Sequence, residues 1–244
     1  MAAPRTLWLA LVGLYEETAT LVLGNLVWVA TNLPLFLVLA AILVPFAGSV
    51  PGASGPEWIL VLIAWLLMFL PSPSNVALAA LASVAAGPDV PHLSVFWQTL
   101  RERWKLGLAC FAISLAIAVA LLANVYFYAV LSEGWLRYLA IVWLYGALFW
   151  FSMHVYLLPL LVHVIEPRIF DIYKRAALIA LGHPIFTILV LFETLILGTL
   201  ALIFLPAYVL VGGSYLAMVQ AYAFREIRRR HGDLDPEPEE QVRL

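Results

Sequence analysis

Apolar residues run along this chain in blocks of membrane-spanning length. A helix needs about 20 mostly apolar residues to cross a bilayer. Leu21 to Ala47 is the first such block, and it ends in the Pro/Gly/Ser stretch Gly48 to Pro56, which reads as a loop. The second, Trp58 to Ala86, is interrupted by Pro71-Ser72-Pro73-Ser74-Asn75. Leu106 to Leu131 and Trp135 to His163 supply two more. Pro184 to Phe224 is long enough for two spans joined by a tight turn, with Pro206 or the Gly212-Gly213 pair as the turning point. The pattern predicts an all-α, polytopic membrane bundle of about six spans, at 21–47, 58–86, 106–131, 135–163, 184–205 and 207–225.

Three further segments are predicted to be short amphipathic or structured helices. Residues 6–17 precede the first span inside an N-terminal segment, 1–20. Glu16 and Glu17 follow its apolar stretch with no small-residue cleavage site, so it reads as an interfacial helix rather than a secretory leader. From Leu93, the residues Phe96, Trp97, Leu100 and Trp104 recur on one helical face, with Arg101, Glu102 and Lys105 off that face. This is the pattern of an interfacial helix anchored by aromatics, separate from the span that follows. Residues 168–182 form the third, with Asp171 placed to pair with Lys174 or Arg175.

Composition fixes the solvent. With 64% apolar and 11% charged residues, the chain is far from the roughly 45–50% and 25% of soluble domains. A net charge of −2 offers no basic excess for nucleic acid. Cys110 is the only cysteine, which excludes an intrachain disulfide and a cysteine-based zinc site.

The basic residues set an orientation. Of the 13 bases, Arg5, Arg101, Arg103, Lys105, Arg168, Lys174, Arg175, Arg225, Arg228, Arg229, Arg230 and Arg243 fall on one side of a six-span layout. Arg137 alone falls on the other. Positive charge is retained on the cytoplasmic side, so both termini are predicted to be cytoplasmic. Five spans would put the Arg228–Arg230 cluster outside. Tyr126, Tyr128, Trp135 and Tyr138 then form an aromatic belt at the outer face. Residues 228–244 form a basic and then acidic tail expected to be disordered.

Candidate chemistry lies in polar groups that lipid would exclude. Counting rise per residue, Glu193 and His154 lie about 14 Å from the cytoplasmic edge, and Asn32 and Asn75 about 16 Å. The two prolines of the second span remove amide donors and free carbonyls near that level. Broken helices of this kind form binding sites in transporters. Two readings follow: a polar pocket lined by Asn32, Ser72, Ser74, Asn75, His154 and Glu193, or a helix-packing network in which the same groups hydrogen-bond across spans. His163, Glu166 and His183 sit at span ends, where charged and polar groups reach water. The histidines lack metal-ligand spacing, and no nucleophile-elbow, P-loop or dinucleotide motif is present. Neither a metal nor a cofactor is expected.

The first span has the form N-x-x-W-x-x-x-x-L-P at Asn25, Trp28, Leu33 and Pro34. This resembles the opening of the YesL-like bacterial integral membrane proteins, a family classed as a domain of unknown function. The Pro-rich segment leading to Ala77-Leu78 and the aromatic-basic segment from Phe96 through Arg101 to Lys105 are similar to that family's next elements. Lys174-Arg175 and His183-Pro184 agree loosely. A longer stretch separates Pro34 from Pro71 here than in the family. The resemblance implies a multi-pass protein of the bacterial inner (plasma) membrane associated with carbohydrate uptake. It supplies no catalytic residues.

The resulting expectation is a non-enzymatic accessory or regulatory membrane component, partnered by the lipid bilayer and by a transporter subunit or a second copy of itself. The alternative is a small-solute or ion-coupled transporter with a midplane site around Glu193, His154 and the broken second span.

Overall fold

The computed structural model describes residues 3–45, 57–164 and 168–231. The expected loop at 48–56, Glu166 and the tail beyond His231 lie outside the described residues; Arg228–Arg230, expected to begin a disordered tail at 228, instead continue the last helix, whose i→i+4 ladder runs through them. Every described element is helical. Five single helices are long and apolar enough to cross a membrane: α2 (Thr18–Leu43), α5 (Leu93–Tyr126, continued by a π turn, Phe127–Leu131), α6 (Leu139–His163, preceded by a 3-10 segment), α8 (Pro184–Ile203), and the helix running from α9 (Leu205–Ala207) into α10 (Gly213–Arg230). A sixth comes from α3 (Glu57–Phe69) and α4 (Pro73–Ala85), which meet at a 46° bend. Helices α1 (Ala3–Glu16) and α7 (Ile169–Gly182) are shorter.

The bend follows directly from the sequence. Pro71 and Pro73 bring no amide hydrogen, so the α3 ladder cannot continue past Leu70. Ser72 then caps the new helix, its Oγ accepting the Asn75 amide at 3.2 Å, with Pro73 in the first turn. Helix α4 lies at the centre of the bundle, and Val76 through Ala82 are all buried. Its small residues allow α2, α5, α6 and α10 to pack around it. Gly107 of α5 comes close to the α4 backbone: a Cβ there would lie 2.8 Å from the Pro73 Cα.

Several expectations change. The helix from Leu93 is not a separate interfacial element, because α5 runs unbroken for 34 residues. No breaker stands between Trp104 and Gly107, and Gly107 is held helical against Pro73. At about 1.5 Å per residue α5 is about 51 Å long, well over the roughly 30 Å hydrocarbon core. It is therefore longer than a single crossing requires.

Helix α1 packs along α10. Thr6 and Ala10 are buried, and a Cβ on Gly13 would stand 2.7 Å from Met218 Cε. Its exposed residues are Trp8, Leu11, Tyr15 and, at its C-terminal end, Glu16.

The last apolar stretch turns at Phe204, whose φ of −103° and ψ of 82° leave the helical region. Pro206 sits within α9, and Gly212 ends a π turn, Tyr208–Gly212, that feeds α10.

Asp171 makes no ion pair with Lys174 or Arg175. Helix α7 is held instead by Ile172, Ala176 and Ala180, buried at four-residue spacing.

Candidate functional site

The polar residues of the bundle centre are organised by helix α2. Leu21, Asn25, Trp28 and Asn32 recur at intervals of four, three and four, on one buried face. That face meets the two places where neighbouring helices lose their regular hydrogen bonds.

The first is the α3–α4 break. The Asn75 amide nitrogen is shared among three α3-side carbonyls, Leu67 at 2.8 Å, Met68 at 3.4 Å and Leu70 at 2.5 Å. Leu67 and Met68 are acceptors left without a ladder donor at the break, whereas the Leu70 carbonyl also accepts the Ser72 amide at 2.7 Å. The Asn75 side-chain oxygen accepts the indole N–H of Trp28. One turn further along α2, Asn32 Oδ1 accepts the Ser72 hydroxyl at 2.9 Å, while Asn32 Nδ2 is buried without a hydrogen-bond partner among the described residues. Ser74 is buried beside them on the first turn of α4.

The second is the π turn before α10. Asn25 Nδ2 donates to the carbonyls of Tyr208 at 3.0 Å and Val209 at 2.7 Å, and its Oδ1 accepts the Ser214 amide at 2.9 Å. The Ser214 hydroxyl returns a bond of 2.7 Å to the Leu21 carbonyl. Gly213 makes the approach possible, since a Cβ there would lie 3.0 Å from both Asn25 Oδ1 and the Trp28 ring.

His154 belongs to a different network. Its Nδ1–H donates to the Trp150 carbonyl at 2.8 Å, so in the neutral ring Nε2 is the acceptor, 3.0 Å from the Ser114 hydroxyl. The Tyr173 hydroxyl, arriving from α7, stands 2.7 Å from Ser114 Oγ and 3.0 Å from the Cys110 carbonyl. Its ring stacks on Trp150 at 5.4 Å. Every polar atom of the His154 ring is therefore satisfied within the protein.

Glu193 stands apart from both. It is half-buried on α8, and its Oε2 is buried without a hydrogen-bond partner among the described residues. Of the six candidates, the structure joins Asn32, Ser72 and Asn75 directly, seats Ser74 next to them, and separates His154 and Glu193. A cavity beside Trp28, Asn75 and Gln220 has a volume of about 10 Å³, the space of roughly one water. Among the described residues, no three or more His, Cys, Asp or Glu side chains gather as metal ligands would.

The family-motif positions divide by role. Asn25 and Trp28 are in the network, Leu33 and Pro34 are exposed on α2, and Ala77, Leu78 and Phe96 are buried. Sequence reasoning passed over the bridging roles of Asn25 and Trp28. The 25/28/32 spacing, a polar stripe inside an otherwise apolar span, is the signal that carries them. Ser114, Tyr173 and Ser214 show no comparable signal, because their partners lie tens of residues away.

Comparison with known proteins returns no match: no protein-family model, no curated sequence and no solved structure corresponds to this chain.

Proposed function

We propose that this chain is a non-enzymatic, multi-pass protein of the bacterial inner membrane, with both termini cytoplasmic, acting as an accessory or regulatory component beside a carbohydrate transporter. The supporting observation is how the central polar residues are used. Asn25, Trp28, Asn32, Ser72 and Asn75 are bonded to one another and to backbone groups exposed by helix breaks. Polar groups engaged in this way rigidify a bundle and leave few of their hydrogen bonds for a passing solute. The orientation rests on the positive-inside distribution of the bases, and the carbohydrate association rests on the YesL-like resemblance.

Crosslinking in native membranes followed by identification of bound chains tests the reading directly. A transport component should be recovered with the protein, and recovery of this chain always alone would overturn the proposal. Cysteine labelling at positions 52 and 232 should find the first outside and the second inside.

The transporter reading keeps one specific support, the orphaned Glu193 Oε2 and Asn32 Nδ2. It requires solute flux in proteoliposomes that Glu193→Gln and Asn32→Ala abolish without unfolding the protein. The accessory reading requires no flux from this chain alone.

A further inference from the structure

Two adjoining cavities at the Arg-rich end of the bundle share His163 and Arg228. The smaller, about 160 Å³, lies between α4, α6 and α10 and is lined by Ser83, His163, Arg225 and Arg228. The larger, about 850 Å³, opens between α6, α7 and α10 and adds Arg175 and His231 over an apolar floor that includes Leu160, Ile179 and Phe224. No acidic residue lines either one.

Glu226, the acid nearest in sequence, is taken by Arg229 at 3.2 Å and Arg230 at 2.9 Å. Among the described residues, Arg175, Arg225 and Arg228 make no ion pair. The Ser83 hydroxyl is buried without a hydrogen-bond partner, facing two of these guanidinium groups across the smaller cavity. The His163 ring donates its Nδ1–H to the Pro159 carbonyl at 2.9 Å, which leaves Nε2 as its remaining polar atom. An unpartnered hydroxyl beside uncompensated guanidinium groups is the chemistry of an oxyanion site.

The larger cavity identifies the rest of the ligand. Its floor is hydrocarbon, and Leu178 on its α7 wall and Leu181 one turn on are 59% and 63% exposed. In a membrane protein such residues face lipid. A free phosphate would use only the small cavity and leave the apolar one unfilled. A phosphate carrying acyl chains uses both.

We propose that this pair of cavities binds an anionic phospholipid, its phosphodiester held by Arg225, Arg228 and Ser83 and its glycerol and acyl region lying along Leu160, Ile179 and Phe224. A headgroup without an ammonium is preferred, because choline would set a positive charge against two guanidinium groups.

Native mass spectrometry of the full chain in detergent, with dioleoylphosphatidylglycerol or dioleoylphosphatidylcholine added, reads this out. Phosphatidylglycerol is retained as one tightly held molecule per chain, about tenfold above phosphatidylcholine. Arg225→Gln and Arg228→Gln each weaken that preference, and the double variant abolishes it. Arg101→Gln, on the exposed basic turns of α5, leaves it unchanged. Thermal unfolding without added lipid verifies that each variant is folded, and the single variants carry the test if the double variant is not. Equal retention of the two lipids overturns the proposal, as does a preference that survives the double variant or is lost equally in Arg101→Gln. Inorganic phosphate is the remaining arm. If millimolar phosphate displaces phosphatidylglycerol and stabilises the protein through the same arginines, the ligand is a soluble phosphate and the lipid assignment fails.

Discussion

The side-chain oxygen of Asn25 accepts the backbone amide of Ser214 at 2.9 Å, across 189 residues of sequence. The same Asn25 amide group covers the carbonyls of Tyr208 and Val209, so one side chain satisfies both sides of an irregular turn that would otherwise expose backbone to lipid. Asn25→Ala should cost about 1–3 kcal/mol, the range for a buried group left unpaired. Asn25→Asp should be worse, since it keeps the acceptor for Ser214 but sets a carboxylate against two carbonyls. Thermal unfolding in detergent ranks the three proteins. Wild-type stability in the Asp variant would show that the amide donors are dispensable.

Asn75 and Trp28 form the matching clamp at the α3–α4 break. Asn75→Ala should be more damaging than Trp28→Phe, because the asparagine covers three carbonyls and the indole only one acceptor. A double-mutant cycle should give a coupling of about 0.6–1.7 kcal/mol, as for hydrogen bonds between membrane helices. Additive effects would mean that the two side chains act independently.

Close packing of α5 on the break predicts an ordered glycine series. At Gly107 an added Cβ meets Pro73 backbone at 2.8 Å, whereas at Gly146 the nearest atom is a leucine methyl at 3.5 Å. Gly107→Ala should therefore destabilise by about 1–3 kcal/mol, and Gly146→Ala should be neutral or stabilising through helix propensity. Comparable melting temperatures for the two variants would contradict the contact.

His183, just ahead of α8, packs edge-on against the His231 ring at 5.4 Å. Burial, with lesser contributions from His231 and Arg230, holds its pKa below the ordinary 6.5. The unfolded chain then binds a proton that the folded one resists, so this contribution is present above pH 6.5 and is lost as the pH falls below that value. The melting temperature of the wild type should drop more steeply between neutral and mildly acidic pH than that of His183→Gln. Parallel pH profiles would remove His183 from the account.

How much of this was legible beforehand depends on the range of each interaction. The two prolines at 71 and 73 announced the broken span, because a missing amide is a local property. The candidate site was only partly legible. Asn32 and Asn75 were placed at one level correctly enough for their network to form through Ser72 and Trp28. Rise per residue carries no information about rotation around a helix or about which helices are neighbours, so it also grouped His154 and Glu193 with them. His154 faces α5 and α7, and Glu193 meets neither network. The turn at Phe204 was missed in favour of Pro206 or the Gly212-Gly213 pair, yet a helix accepts Pro206 readily in its first turn.

The sequence by itself determined the all-helical class, the presence of helices apolar enough to cross a membrane and the position of the proline break. Those follow from composition and from hydrogen-bond donors that are present or absent locally. Only the tertiary structure decided that α2 serves both breaks, that α1 leans on α10, and that arginines gather around a divided cavity between α4, α6, α7 and α10. Each of these depends on which faces of distant helices meet. Helices that are apolar all round leave that choice to small residues and a few polar pairs, whose partners no periodicity along the chain can name.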